Sequence, residues 1–135
     1  MTRPTLPRGL SLRSATDADI PLFLQLYATT REAELQQVPW TEEQKAAFVA
    51  MQFDAQHRHY HTTWPDANYD VILQDGEPVG RLYVNRRPTE INLMEITLLP
   101  AKRNQGLGGV LMDLLLRESR ESGIPIALYV EQFNP

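Results

Sequence analysis

The chain has 135 residues, the length of one ordinary domain, and 42% of them are hydrophobic, enough for a sizeable core. The formal charge is −4, which argues against a nucleic-acid-binding protein. There is no cysteine, so disulfides, thiolate nucleophiles and cysteine zinc sites are excluded. Because no signal peptide and no apolar run of roughly 20 residues are visible, we expect a cytoplasmic protein without a membrane partner.

The first part of the chain predicts one strand and then two helices. Residues 10–13 alternate apolar and polar side chains, which is typical of a strand. An N-cap at Thr16 or Asp17 precedes apolar residues that keep helical spacing to about Arg31. A capping box at residues 41–44 then starts a second helix, which has Phe48, Met51 and Ala55 on one side and fades near His59.

The period then changes from helical to extended. Residues 69–73 and 79–84 predict a hairpin closed at Asp75-Gly76, and residues 91–99 predict the next strand. A helix that ends at Gly123 follows, because apolar residues recur at helical spacing at Leu107, Val110, Leu111, Leu114 and Leu115.

Residues 126–130 are again apolar and predict the last strand. The predicted order is therefore β-α-α-β-β-β-α-β, an α/β (α+β) fold. Its sheet is mixed and mostly antiparallel, and strand, helix and strand over residues 91–130 form a parallel βαβ unit. We expect one domain over residues 1–135.

A glycine-rich turn between the third strand of this run and the following helix is the most specific motif. Three of the four residues 106–109 are glycine, which leaves backbone N–H groups accessible at a helix start and predicts an anion seat, most naturally for phosphate. A P-loop lysine is missing, and the third glycine of a dinucleotide fingerprint is replaced by Leu111. The pattern that remains is Arg/Gln-x-x-Gly-x-Gly/Ala, filled by Arg103, Gly106 and Gly108.

Together with its flanking strand and helix, this motif resembles the GNAT superfamily of acyl-CoA-dependent N-acyltransferases. The resemblance covers nearly the whole chain, through the order of elements, the block ITLLPAKRNQGLGGVLMDLL and the final LYVEQFNP. It implies that acetyl-CoA is the cosubstrate and that the glycine-rich loop wraps the diphosphate of coenzyme A. The implied loop ligands are Arg103, Asn104, Gln105, Gly106, Leu107, Gly108 and Gly109.

The resemblance also implies contacts outside the loop. The backbone of Leu98 and Leu99 would pair with the pantetheine arm like an added strand, and Asn134 matches an asparagine that lies near the cofactor. In the family, a helix with a tyrosine and a final strand follow this point, whereas the sequence stops at Pro135. We expect a truncated sequence. A defective product or completion by a partner protomer are the alternatives, and an exposed sheet edge leaves a homodimer open.

Acetyl transfer to an amine needs a base that removes a proton, often through water. Glu95 is the candidate base, because it lies in the strand that would face the thioester. The alternative is a solvent-facing charge, with Met94, Ile96 and Leu98 on the inward side. Glu131 is a weaker candidate of the same kind.

Three other groups of side chains have ordinary structural interpretations beside functional ones. The histidines at 57, 59 and 61 suggest a metal, but no acidic residue joins them at useful spacing, so a solvated helix end is preferred to a metal site or an acceptor pocket. Arg86 and Arg87 either contact adenosine phosphates or form a charged hairpin edge. Core packing or an acceptor pocket would explain the aromatic residues Tyr27, Trp40, Tyr60, Trp64 and Tyr83.

The predicted function is N-acetylation of a primary amine, on a small molecule or a peptide, by direct attack in a ternary complex. With no cysteine, a cysteinyl acyl-enzyme is excluded. The alternatives are a non-catalytic acyl-CoA-binding or interaction module and, more remotely, a nucleotide or phosphate binder of another kind.

Overall fold

The computed structural model describes residues 6–128. It confirms the predicted order of elements. The strands are β1 (Leu10–Ser14), β2 (Asn68–Gln74), β3 (Glu77–Arg86), β4 (Ile91–Leu98) and β5 (Ile126–Leu128), and the helices are α1 (Ile20–Leu35), α2 (Glu42–Thr63) and α3 (Leu107–Ser122). Short 3-10 turns lie at Pro7–Gly9, Asp17–Asp19 and Pro100–Lys102.

The five strands form one sheet in the order β1-β2-β3-β4-β5. The first three pairs are antiparallel and β4 pairs with β5 in parallel, so the predicted mixed sheet is confirmed. The hairpin turn between β2 and β3 is also as predicted. Asp75 and Gly76 have φ values of 51° and 85°, the left-handed pair that a two-residue hairpin requires.

Helix α3 covers one face of the sheet with the predicted apolar stripe. Leu107, Leu111 and Leu115 are at most 1% exposed and pack with Leu10, Ile72 and Leu82 from the sheet. Each fully buried leucine contributes about 1.5–3 kcal/mol of transfer free energy. Because the stripe begins at Leu107, this packing also fixes the start of α3, where the glycine-rich turn ends.

Helices α1 and α2 cover the opposite face, and both are longer than predicted. Helix α1 continues to Leu35 because that side chain is buried in the apolar cluster of this face. The capping box of α2 is confirmed: Gln44 N–H donates to Thr41 Oγ1 at 3.1 Å, and Thr41 N–H donates to Gln44 Oε1 at 2.9 Å. Helix α2 runs on to Thr63 because Tyr60 is buried as well.

The side of α2 that carries Phe48, Met51 and Ala55 is not its buried face. Met51 is 61% exposed and Ala55 is exposed, whereas Val49, Phe53 and Tyr60 are buried. Contacts with α1 and the sheet decide which face of α2 is buried. The short apolar pattern of α2 does not identify that face. No helix within residues 6–128 combines the length and the apolarity needed to cross a membrane.

A β-bulge interrupts the alternation of β4. Tyr83 lies opposite Glu95 and Val84 lies opposite Leu93, so Met94 is the extra residue. Met94 therefore packs on the α1/α2 face, while Ile96 and Leu98 pack on the α3 face. The expectation that Met94, Ile96 and Leu98 share one side, with Glu95 facing solvent, is wrong, because one inserted residue changes which face each later side chain occupies.

Candidate functional site

The glycine-rich turn lies where the sequence places it, between the end of β4 and the start of α3. The 3-10 turn Pro100–Lys102 leads into extended backbone at Arg103. Asn104 and Gly106 then take positive φ values of 62° and 80°, and α3 begins at Leu107. Asn and Gly are the residue types that adopt this left-handed conformation most readily, so the local sequence accounts for the sharp return of the chain.

The first turn of α3 presents unpaired backbone donors. Its first intrahelical hydrogen bond is donated by Val110 N–H to Gly106 O at 3.2 Å, so the N–H groups of Leu107, Gly108 and Gly109 have no acceptor within the helix. A Cβ added at Gly108 or Gly109 would meet no atom within 4 Å. The N-terminus of α3 is therefore open to a ligand, and its dipole favours an anion there.

The side chains of Arg103 and Gln105 are held by the protein itself. Arg103 Nε donates to Leu98 O at 3.0 Å, and Arg103 Nη2 donates to Thr29 Oγ1 of α1 at 2.8 Å. Gln105 Nε2 donates to Ala101 O at 2.9 Å. These bonds tie the turn to the end of β4 and to α1, so Arg103 and Gln105 shape the loop.

Among residues 6–128, no strand pairs with the end of β4 on the side of β5. Leu99 N–H donates to Val79 O of β3 at 2.9 Å. Since N–H and C=O groups alternate in direction along a strand, those of Leu98 point to the opposite edge. Within the described residues, β5 pairs with β4 only from Ile91 to Leu93, so the edge near Leu98 has no strand beside it.

Glu95 belongs to a half-buried polar cluster on the α1/α2 face. Thr97 Oγ1 donates to Glu95 Oε1 at 2.6 Å, and Arg81 Nη2 lies 3.8 Å from the same oxygen. The guanidinium of Arg81, whose side chain is 1% exposed, also donates to Gln56 Oε1 at 3.3 Å and to the Tyr83 hydroxyl at 3.4 Å. Glu95 is thus the counter-ion of a buried arginine, and its side chain remains 20% exposed.

Two tyrosines beside this cluster are held neutral by burial. Burial raises the pKa of Tyr83, and the neighbouring Arg81 opposes that rise in part. Burial also raises the pKa of Tyr69 to about 12, and its hydroxyl donates to the carbonyls of Tyr60 and Trp64 at 2.9 and 2.8 Å. Both rings pack edge to face with each other, with centroids 4.9 Å apart. Of the aromatic residues given a core or pocket interpretation, Tyr27, Tyr60 and Tyr83 are buried, Trp64 is half-buried and Trp40 is 41% exposed.

Two of the three histidines line a cavity of about 470 Å³ between α2 and the ends of β1 and β2. The rings of His57 and His61 lie 4.4 Å apart, and His61 stacks on Tyr69 at 4.0 Å. Burial lowers the pKa of His61, and His57 lowers it further while Asp17 opposes the change. No group of three or more potential ligands for a metal occurs among residues 6–128. His57 is half-buried, whereas His59 and His61 are exposed at the end of α2, as a solvated helix end predicts.

Arg86 and Arg87 lie at the opposite end of the sheet from the glycine-rich turn, where β4 begins. Arg86 forms a two-pronged ion pair with Glu118, at 2.6 and 2.9 Å. Arg87 pairs with Glu90 at 3.6 Å and lies over the ring of Trp64. The glycine-rich turn follows the other end of β4, so these two arginines do not lie beside it. They form the charged edge of the hairpin.

Arg8 is a residue near the turn that sequence reasoning missed. The position that a Cβ of residue 106 would occupy lies 3.5 Å from Arg8 Nη2 and 3.6 Å from Nε. The sequence gives no signal for this proximity, because 97 residues separate Arg8 from Gly106 and Arg8 belongs to a proline-rich lead-in. Two other predicted residues, Glu131 and Asn134, lie outside the described part of the chain.

Comparison with known proteins agrees with this architecture. The model of the acetyltransferase (GNAT) family matches residues 26–135. The match spans most of the sequence, and the chain therefore belongs to the GNAT acetyltransferase family. A search of curated proteins gives no match.

Solved structures share the fold at low sequence identity. A PaiA N-acetyltransferase from Thermoplasma acidophilum, in complex with coenzyme A, has a TM-score of 0.61 at 14% identity, covering 93% of this chain and 81% of its own. A transcriptional regulator from Bacillus halodurans C-125 has a TM-score of 0.57 at 19% identity, covering 93% and 85%. The ribosomal-protein-S18-alanine N-acetyltransferase from Escherichia coli has a TM-score of 0.54 at 18% identity, covering 93% and 69%. At these identities the likeness shows the fold.

Proposed function

We propose that the chain is an N-acetyltransferase that moves the acetyl group of acetyl-CoA to a primary amine of a small molecule or peptide. One observation carries the proposal: in a chain of the GNAT family, three amide N–H groups at the start of α3 lie beside an edge of β4 that is unpaired within residues 6–128. A similar fold is described in complex with coenzyme A in the Thermoplasma acidophilum N-acetyltransferase.

In this proposal the N–H groups of Leu107, Gly108 and Gly109 donate to the diphosphate of the cofactor. The absence of side chains at Gly108 and Gly109 lets phosphate oxygens approach the backbone, and the α3 dipole adds a favourable potential. Asn104 and Gly106 supply the turn that exposes these donors. Gln105 and Arg103 hold the shape of the loop through their bonds to backbone carbonyls.

The pantetheine arm lies along the open edge of β4 in the same proposal. The Leu98 N–H is the donor for it, because the Leu99 N–H is already used by Val79. Since the Leu98 carbonyl accepts from Arg103, movement of that side chain would free a second backbone group on this edge. Asn134 stays a predicted contact.

The chemical step is a direct transfer. The neutral amine nitrogen attacks the thioester carbonyl carbon, the C–S bond breaks, and coenzyme A leaves as the thiolate. Glu95 is the proposed base, which receives the amine proton through water, and the thiolate takes up a proton in turn. The exposed part of the Glu95 side chain supports access by water.

A second candidate is a module that binds acyl-CoA without catalysis. It is favoured by the engagement of Glu95, whose Oε1 already accepts from Thr97 and lies beside Arg81. A carboxylate held in this way would serve mainly as a structural counter-ion. The two candidates share the cofactor site and differ in turnover.

Thermal unfolding with coenzyme A, acetyl-CoA and ATP tests the cofactor site, since a ligand of the native state raises the melting temperature by mass action. We expect a rise with both coenzyme A species and none with ATP. No rise with either coenzyme A species would reject both candidates. Thiol release from acetyl-CoA with a panel of amines then separates them: turnover supports the enzyme, and binding without turnover on any amine supports the module. Cytoplasmic location and homodimer formation stay predictions.

A further inference from the structure

The N-terminal segment brings a cation to the edge of the proposed cofactor loop. The guanidinium of Arg8 lies beside Gly106, with Nη2, Cζ and Nε within 3.6 Å of the position that a Cβ of that residue would occupy. Gly106 is the last residue before α3. The guanidinium therefore lies next to the helix end that carries the partial positive charge of the dipole.

The backbone around Arg8 is fixed by the rest of the protein. Leu6 N–H donates to Leu10 O at 2.7 Å, Gln74 Nε2 donates to Arg8 O at 3.2 Å, and Asp75 N–H donates to Gly9 O at 2.9 Å. Arg8 itself has a φ of 61°, a conformation that costs about 1 kcal/mol or more for a residue with a side chain. The β2–β3 hairpin thus holds the segment in a strained form that directs this arginine to the loop.

Arg8 has no carboxylate partner in the described part of the chain. Its side chain is exposed, and no carboxylate of residues 6–128 lies within ion-pair distance of it. Cations are ordinarily favourable at the C-terminus of a helix and unfavourable at the N-terminus. A guanidinium beside the free N–H groups of Leu107–Gly109 is electrostatically favourable only when an anion lies between them.

We infer that Arg8 is a direct ligand of the coenzyme A diphosphate, adding a side-chain cation from the N-terminal segment to the backbone donors of the glycine-rich loop. The inference rests on the proposed function. A guanidinium presents parallel N–H donors that match two phosphate oxygens, which a backbone N–H cannot do. Arg8 lies outside the motif, so the loop sequence alone underestimates the positive charge of the site.

The test is calorimetric titration of coenzyme A and of dephospho-coenzyme A, which lacks the 3′-phosphate but keeps the diphosphate. Arg8→Gln removes the charge and keeps a side chain at the strained position. We expect it to weaken both ligands by the same factor of about ten, the lower range for a hydrogen bond to a charged group because Arg8 is exposed. Arg8→Lys is expected to recover part of the loss, since the charge returns without the paired donors.

Arg117→Gln is the matched control, because it removes the same charge from an exposed position on α3 ten residues beyond Leu107, about 15 Å along the helix. It should leave both affinities unchanged. A loss confined to coenzyme A would assign Arg8 to the 3′-phosphate and overturn the inference, as would equal affinities in Arg8→Gln and the parent protein. If the parent protein binds neither ligand, the proposed function fails first and this inference with it. Near-equal melting temperatures of the variants exclude unfolding as the cause.

Discussion

Arg81 and Glu95 lie on neighbouring strands of the sheet, with Arg81 Nη2 3.8 Å from Glu95 Oε1. Among the described residues, Glu95 is the carboxylate that forms an ion pair with this buried guanidinium. The Nε of Arg81 has no hydrogen-bond partner among the same residues. The residue proposed as the base is therefore also part of the internal structure. A Glu95 variant would therefore lose activity for either of two reasons: the base is missing, or the buried Arg81 has lost its counter-ion.

The first prediction concerns the stability of Glu95 variants. Glu95→Gln should lower the free energy of unfolding by about 2 kcal/mol, because Arg81 keeps its buried charge without a counter-ion. Urea unfolding measures this change. Adding Arg81→Met to the same chain should restore part of the loss, since the uncompensated charge is removed. A Glu95→Gln variant as stable as the parent would contradict the role of Glu95 as a counter-ion. If that stable variant also lost turnover, the loss would be assigned to the role of Glu95 as the base.

The second prediction concerns acid sensitivity at the start of α1. The guanidinium of Arg13 donates to Asp19 at 2.8 and 2.7 Å and lowers the pKa of that carboxyl from 3.8 to about 2. Because the folded pKa lies below the ordinary one, this stabilisation is present above about pH 4 and is lost as the pH falls towards 2. Arg13 is 41% exposed, so solvent screening reduces the contribution to about 1 kcal/mol.

Acid unfolding followed by circular dichroism measures this contribution. Asp19→Asn removes the titrating group, so the variant should start less stable near pH 6 and lose less stability between pH 4 and 2. Asp113→Asn, at an exposed position on α3, serves as the control and should follow the parent curve. Parallel curves for Asp19→Asn and the parent would show that the pair with Arg13 contributes nothing to stability.

The third prediction concerns the open start of α3. Gly108→Glu should leave the protein folded or slightly more stable, because a carboxylate in the first turn of a helix is favourable and the space around residue 108 is empty. The same carboxylate should repel the diphosphate and lower coenzyme A affinity by roughly a hundredfold. Calorimetric titration measures the affinity. Gly108→Ala is the uncharged control and should retain most of it. Unchanged affinity in Gly108→Glu would place the cofactor elsewhere.

The fourth prediction separates stability from binding at Arg8. Arg8→Gly relieves the left-handed strain, although glycine also adds freedom to the unfolded chain, so the free energy of unfolding should stay the same or rise by up to about 1 kcal/mol. Coenzyme A affinity should fall as far as in Arg8→Gln. The free energy of unfolding and the affinity for coenzyme A are therefore expected to change independently. A clear loss of stability would show that the Arg8 side chain supports the fold, contrary to its assignment as a ligand.

Local signals account for the parts of the fold that the sequence predicted well. Three features depend only on residues close together in the sequence, and all three are confirmed. They are the apolar stripe of α3, the capping box at Thr41 and Gln44, and the Asp75-Gly76 turn. The helix ends at Leu35 and Thr63 were predicted too early, because burial of Leu35 and Tyr60 depends on partners distant in sequence. The same distinction applies to the candidate site.

The sequence by itself determined the family pattern, the order of elements and the glycine-rich turn, because glycine placement and apolar period act through neighbouring residues. Only the tertiary structure decided which groups surround that turn. The bulge at Met94 turned Glu95 towards Arg81, and the β2–β3 hairpin held Arg8 beside Gly106. Strand register and contacts between residues far apart in the chain set these two arrangements, and no local pattern encodes them.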